Sequence, residues 1–144
     1  ACGTSSVTGD EKAITRMKAF GENVGMAFQI KDDLLDYTGK GLTGKQEGND
    51  IKEKKITLPL IHALRSARPP ERRRIKRLIR KKKKGRKDIN EVIKFVKEYG
   101  GLEYAETKMQ EYCDKAIHIL DDYQDSEVKS ALIEFVIFST LRKK

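Results

Sequence analysis

The chain has 144 residues, which is long enough for one compact domain and too short to argue for two. Hydrophobic residues make up 38% of it and charged residues 37%, and this balance excludes a wholly disordered chain. The longest apolar run near the end, residues 132–138, is interrupted by Glu134, so we expect no transmembrane segment. The first residues show no basic region followed by an apolar one, and we therefore expect a cytoplasmic protein.

The first predicted element is one long helix. Thr8 and Glu11 have the spacing of a capping box, and apolar residues then recur at helical spacing as far as Gly39. Four glycines among polar residues predict a loop over residues 39–50. A second helix is expected to open with Thr57 as its N-cap residue and to stop near the next pair of prolines.

The net charge of +9 comes from the next helix. Residues 71–87 contain 12 of the 31 Lys and Arg residues and one of the 22 acidic residues, so this segment carries +11 and the remainder −2. Its apolar residues Ile75, Leu78 and Ile79 predict an amphipathic helix with a narrow buried stripe. A phosphate or anionic-lipid patch is one interpretation. The absence of interleaved aromatic residues favours a solvated face, with no nucleic acid as partner.

Three more helices complete the chain. Asp88 and Glu91 repeat the capping-box spacing and open a helix that stops at the glycine pair 100–101. A further helix follows directly, and Asp125 or Ser126 opens the last one. Because no segment alternates apolar and polar residues as a strand does, the sequence predicts an all-α fold of about six helices.

Three carboxylates lie close together near the end of the first helix. Asp32 and Asp36 are four residues apart and Asp33 and Asp36 three, so a helix gathers all three on one side. Like charges at these spacings repel, most strongly near a helix C-terminus, and a cation should offset the repulsion. Mg²⁺ fits, since it accepts carboxylate oxygens while keeping waters and substrate phosphates. We expect the apolar residues of this segment to face the core: Phe28, Leu34 and Leu35.

A solvated acidic face paired with lysines is the alternative interpretation of this D-D-x-x-D pattern. The same pattern recurs at residues 121–125, where it is assigned to helix ends. What distinguishes the first occurrence is the following loop, which brings Lys45 and Lys55 near the carboxylates. Carboxylates for a metal ion together with lysines for phosphate oxygens predict a diphosphate site.

Residues 25–39, with Gly44 and Lys45, the segment 48–51 and the segment 55–61, resemble the second aspartate-rich region of the trans-isoprenyl (polyprenyl) diphosphate synthases. Residues 99–116 resemble the same family more loosely. The resemblance implies a helical bundle of the isoprenoid-synthase type around a central cavity, usually in a homodimer.

The resemblance also implies roles for single residues. Asp32, Asp33 and Asp36 would bind Mg²⁺ that bridges to the allylic diphosphate. Lys45 and Lys55 would neutralise diphosphate oxygens. The implied catalytic residues are Asp32, Asp33, Lys45 and Lys55. Gln29 would line the same pocket. Phe28 either packs in the core or lines the prenyl cavity.

The implied reaction is a Mg²⁺-dependent prenyl transfer. The allylic diphosphate ionises, the double bond of isopentenyl diphosphate attacks the carbocation, and a proton is lost. Family members are much longer, and their first aspartate-rich motif lies upstream of anything present here. We therefore expect residues 1–144 to form the C-terminal part of a polyprenyl synthetase domain that is inactive alone. A non-catalytic helical module that binds diphosphates or a partner subunit is the alternative.

Overall fold

The structure, a computed structural model, describes residues 10–38 and 48–141. Within these ranges every regular element is helical and none is a strand, which confirms the all-α prediction. The elements are α1 (Glu11–Thr38), α2 (Asn49–Lys52), α3 (Leu58–Ser66), α4 (Pro69–Arg80), α5 (Arg86–Glu98), α6 (Gly101–Leu120), α7 (Glu127–Val136) and a π-helical segment (Ile137–Leu141). No helix in the described ranges is both long enough and apolar enough to cross a membrane.

Helix α1 begins at Glu11, two residues after the start that a Thr8 cap predicts. The Asp10 carboxylate accepts the backbone N–H groups of Lys12 at 2.9 Å and Ala13 at 3.1 Å, so Asp10 caps the helix. The predicted cap, Thr8, lies outside the described residues. Residues 39–47 of the predicted loop also lie outside the described residues. The loop was predicted to run to residue 50, but α2 already starts at Asn49.

The chain divides into two compact units, and residues 30–107 form the one that contains α2 to α5. Its buried core comes from every one of these helices and from the end of α1. The fully or nearly buried members include Tyr37, Ile51, Leu60, Ala63, Ile75, Ile79, Ile89, Val92, Phe95 and Val96. The predicted stripe of α4 is therefore in place, with Leu78 partly buried beside it.

The start of α5 differs from the sequence prediction. Asp88 and Glu91 were predicted as the capping pair, but the helix begins at Arg86 with Gly85 as the N-cap residue. Asp88 lies in the first turn, where its carboxylate accepts the Gly85 N–H at 3.1 Å. Asp88, predicted as the N-cap residue, is therefore the third residue of the helix, and the helix starts three positions earlier than predicted. An acidic side chain at this position can accept the free N–H of the N-cap residue.

The other unit combines residues 10–29 with residues 108–141. Its core is smaller and consists of Phe20, Ala27, Cys113, Ala116, Leu120 and Val136. Of the two predicted caps of α7, Asp125 and Ser126, the structure has Ser126, whose hydroxyl oxygen accepts the Lys129 N–H at 3.2 Å. Two phenylalanines near the end of this unit, Phe135 and Phe138, are more than half exposed.

Candidate functional site

The candidate site lies at the C-terminal end of α1, where the three predicted carboxylates differ in their surroundings. Asp32 is exposed, while Asp33 and Asp36 are half-buried. The last turn of α1 contains no basic residue that would compensate the helix dipole. What each carboxylate contacts therefore decides how its charge is accommodated.

Asp36 holds the start of α2 through its backbone amides. One carboxylate oxygen accepts the Asn49 N–H at 2.9 Å, and the other accepts the Asp50 N–H at 3.1 Å. The main-chain carbonyl of Asp36 also accepts the Gly48 N–H at 2.9 Å. Gly48 has φ +78°, in the left-handed region that favours glycine, and a Cβ there would collide with Ile89. Residues 48–50 are thus fixed to the end of α1.

Asp33 makes the corresponding contact with α3. Its Oδ2 accepts the N–H of Leu58, the first residue of that helix, at 3.3 Å. The predicted N-cap residue, Thr57, occupies the cap position, but its side chain makes no capping hydrogen bond. A carboxylate at a helix N-terminus satisfies a free amide and interacts favourably with the helix dipole. Asp33 therefore takes the capping role that was predicted for Thr57.

The Thr57 hydroxyl is instead paired with Tyr37. The two hydroxyl oxygens are 2.6 Å apart, and both side chains are buried. Burial raises the pKa of Tyr37 far above its ordinary value, with the neighbouring carboxylates of Asp36 and Asp33 adding to the effect. Tyr37 therefore stays neutral, and this pair packs the connection between the end of α1 and the start of α3.

Asp32 is the carboxylate of the three that is open to solvent, and the described residues give it no hydrogen bond or ion pair. Residues 10–38 and 48–141 contain no group of three His, Cys, Asp or Glu side chains arranged to hold a metal ion. Two of the three predicted ligands are turned toward backbone amides. The assignment of Asp32, Asp33 and Asp36 to Mg²⁺ therefore stays a prediction, with Asp32 the most accessible of them.

Lys55 is linked to Asp36 through Asp50. The Lys55 ammonium lies 3.0 Å from the Asp50 carboxylate and 2.9 Å from that of Glu53, and its side chain is 57% exposed. These hydrogen bonds, the one to Glu53 first, raise the pKa of Lys55 above its usual range. Asp50 thus bonds to Asp36 through its backbone and to Lys55 through its side chain.

Three further residues were predicted for the site: Phe28, Gln29 and Lys45. Phe28 is 58% exposed, which corrects the expectation that it serves the core; Ala27 is the buried residue at that level of α1. The reason is helical register: Ala27 and Ile30 lie on the buried side, and Phe28 points away from both, roughly 100° from Ala27 and roughly 160° from Ile30 around the helix. Gln29 is exposed, and both Phe28 and Gln29 fall in the unit of residues 10–29 and 108–141. Lys45 lies outside the described residues.

The sequence did not indicate Asp50 and Glu53 as the partners of Lys55. Asp50 precedes Lys55 by five positions and Glu53 by two, and neither spacing pairs side chains on a regular helix. They meet because Lys54 has φ +61°, which reverses the chain after α2. A left-handed non-glycine residue leaves little signal in a single sequence.

The model of the polyprenyl synthetase family matches residues 1–96. The chain belongs to this family. Among curated polyprenyl synthetase relatives, the octaprenyl diphosphate synthase of Haemophilus influenzae is 35% identical over 135 residues, which is 93% of this chain and 41% of that protein. The heptaprenyl diphosphate synthase component 2 of Geobacillus stearothermophilus is 31% identical over 89% of this chain and 39% of its own length.

A solved polyprenyl synthetase has the same fold. The polyprenyl synthase of Caulobacter crescentus, determined with calcium and isoprenyl diphosphate, superposes with a TM-score of 0.81 at 31% identity. The superposition covers 91% of this chain and 40% of that one. The all-helical isoprenyl-synthase fold is therefore confirmed, and the chain spans about 40% of the length of the relatives it matches.

Proposed function

We propose that residues 1–144 supply the second-aspartate-motif part of a Mg²⁺-dependent trans-prenyltransferase that condenses isopentenyl diphosphate with an allylic diphosphate. One observation carries the proposal: Asp50 bonds both to Asp36, at 3.1 Å, and to Lys55, at 3.0 Å. The Asp36 carboxylate and the Lys55 ammonium group are thereby joined in one hydrogen-bond network. Carboxylates for a divalent cation and an ammonium group for phosphate oxygens are what a diphosphate site requires.

The residues present fit a Mg²⁺ ion, since all three candidate ligands are hard carboxylate oxygens. Asp32, which is exposed and has no hydrogen-bond or ion-pair partner among residues 10–38 and 48–141, would hold the ion most directly, with Asp33 and Asp36 on the same helix. Mg²⁺ with few protein ligands keeps open positions for waters and phosphate oxygens. When bound, it would stabilise the negative charge of the departing diphosphate.

Lys55 would bind the diphosphate by exchanging partners. Its ammonium group is already bonded to Asp50 and Glu53, so it is charged and positioned before any ligand arrives. A diphosphate oxygen would replace one of these carboxylates, and the Glu53 contact is the more exposed of the two, with half of the Glu53 side chain accessible. Lys45 and Gln29 would add contacts to the same ligand, and Phe28 would contact its prenyl chain.

The proposal is tested by calorimetric binding of an unreactive allylic diphosphate analogue to this chain, with and without Mg²⁺. Asp32→Asn should weaken the Mg²⁺-dependent binding at least about tenfold, because it removes a charged ligand. The matched control is Asp121→Asn, which changes the corresponding position of the second D-D-x-x-D pattern and should bind as the parent chain does. Binding that needs neither Mg²⁺ nor Asp32 would contradict the proposal.

Turnover is expected to need more than this chain. The relatives are about two and a half times as long, since the chain covers 41% of the first of them. We therefore propose that residues 1–144 form the C-terminal part of a polyprenyl synthetase domain, that the intact enzyme is a homodimer, and that the isolated chain does not turn over. Mg²⁺-dependent condensation of the two diphosphates by the purified chain would refute the last statement.

A second candidate is a non-catalytic module that binds diphosphates or a partner subunit. The name of the Geobacillus stearothermophilus relative, a synthase component, favours it, because that protein is described as one part of an enzyme. Co-purification with a chain that carries the first aspartate-rich motif would favour a split enzyme, and activity of that mixture unchanged by Asp32→Asn in this chain would support the non-catalytic candidate.

A further inference from the structure

The segment of residues 71–87, called the basic segment here, covers most of α4 and the connection to α5. It contains 12 of the 31 Lys and Arg residues of the chain, and the proposed reaction uses none of them. Most of these side chains are exposed. The basic segment is therefore a separate surface, with a local charge of +11 in a chain that is otherwise close to neutral.

Four of the five exposed cations of α4 lie on one face of the helix, and the fifth is Arg74. Arg73, Lys76, Arg77 and Arg80 are all exposed, and at 100° per residue they fall within one arc of roughly 100°. The opposite face carries the fully buried Ile75 and the nearly buried Ile79, which pack in the core of residues 30–107. Because the apolar stripe is already buried, the basic face is presented outward on a fixed helix.

Few of these charges are balanced within the described parts of the chain. Arg74 pairs with Glu91 at 3.1 Å, and Lys81 pairs with Asp88 at 2.7 Å. Arg72 and Lys84 bond to backbone carbonyl oxygens. The remaining cations of the basic segment have no acidic ion-pair partner within residues 10–38 and 48–141; they are Arg73, Lys76, Arg77, Arg80, Lys82, Lys83, Arg86 and Lys87. Like charges at this density repel one another, so a polyanionic surface would relieve the repulsion.

We propose that the basic segment binds the surface of an anionic phospholipid bilayer. It contains no aromatic residue that would stack on bases, as sites for single-stranded nucleic acid do. It also exposes no large apolar side chain that would insert among acyl chains, so the contact would be with headgroup phosphates only. This choice of partner rests on the proposed function, because the product of prenyl transfer carries a lengthened apolar chain that partitions into a bilayer.

Vesicle co-sedimentation of the full chain tests this inference. The probes are vesicles of phosphatidylcholine alone and of phosphatidylcholine with one third phosphatidylglycerol, at about 0.1 M salt, where the Debye length is about 10 Å. The variant changes Arg73, Lys76, Arg77 and Arg80 together to Gln. These side chains are exposed and Gln has a similar helix propensity, so the fold, checked by circular dichroism, should remain.

The matched control changes four exposed lysines elsewhere to Gln and lowers the net charge by the same amount. Its positions are Lys12, Lys18, Lys94 and Lys97. The parent chain and this control should bind the anionic vesicles and not the neutral ones, and salt should weaken the binding steeply. The affinity of the α4 variant should fall at least about 100-fold.

Three results would overturn the inference. They are failure of the folded parent chain to bind anionic vesicles, equal losses in the α4 variant and the control, and binding of a nucleic acid duplex in preference to the vesicles. Asp32→Asn serves to separate this inference from the proposed function. It should weaken the Mg²⁺-dependent binding of the diphosphate analogue at least about tenfold and leave vesicle binding unchanged. Loss of vesicle binding in Asp32→Asn would be a fourth contradicting result, because Asp32 lies outside the basic segment.

Discussion

Replacing Asp36 by Ala should destabilise the chain even when no metal ion is present. The substitution removes the acceptors of the Asn49 and Asp50 N–H groups, at 2.9 and 3.1 Å. It thereby releases the start of α2, the helix that carries the buried Ile51 into the core of residues 30–107. A purely ligand-binding carboxylate would have no such effect.

The expected size follows from the two hydrogen bonds. Each hydrogen bond to a charged group contributes about 1.5 to 3 kcal/mol when buried, and Asp36 is only half-buried, so its pair is discounted to about 2.5 kcal/mol. Alanine recovers about 0.5 kcal/mol through its higher helix propensity. The net loss should be about 2 kcal/mol, and Asp36→Asn, which keeps one acceptor oxygen, should lose about half of that.

Urea unfolding followed by circular dichroism, in a buffer with EDTA, measures the difference. The matched control is Asp32→Ala, which removes a carboxylate from the same helix that has no recorded partner. Asp32→Ala should change the free energy of unfolding by less than about 0.5 kcal/mol, because it affects only propensity and like-charge repulsion. If the two variants unfold within about 0.5 kcal/mol of each other, the structural role assigned to Asp36 is wrong.

Three further variants test neighbouring contacts. Gly48→Ala should lose about 2 kcal/mol, because φ is +78° and a Cβ would collide with a buried isoleucine; wild-type stability would contradict this backbone geometry. Tyr37→Phe should lose about 1 to 2 kcal/mol in the same unfolding assay, since it leaves the buried Thr57 hydroxyl unpaired. The hydrogen bond from Lys81 lowers the pKa of Asp88, so its stabilisation is present above the unfolded-state pKa and is lost as pH falls through the lowered one. The difference in unfolding free energy between the parent chain and Asp88→Asn should accordingly be largest at neutral pH and disappear in strong acid, and a difference that is independent of pH would refute it.

The helices themselves could be predicted because their signals are local. Apolar spacing placed the core of α4 at Ile75 and Ile79, and Ser126 marked the start of α7, as the structure confirms. The caps were predicted less well, since several polar residues near a helix start can satisfy the same amides. Asp10 replaces Thr8 as the described cap of α1, and Gly85 with Asp88 replaces the predicted capping pair of α5.

The contacts of the site could not be predicted from the sequence, because they join residues far apart in the chain. Asp33 bonds to Leu58 across 25 positions, and Asp36 bonds to Asn49 across 13. Sequence spacing shows which residues share a helix face and not what lies opposite that face. The motif predicted where the carboxylates are, while the backbone amides that two of them bind became visible only in the structure.

These contacts change the physical argument for a metal ion. The sequence argument was that three clustered carboxylates repel one another and need a cation. The structure shows that backbone N–H groups already offset much of the charge of Asp33 and Asp36, so repulsion alone no longer demands Mg²⁺. The case for the ion now depends on the exposed Asp32 and on the nearby Lys55 ammonium. Asp33 and Asp36 would then contribute mainly by fixing α2 and α3, and so Lys55, at the end of α1.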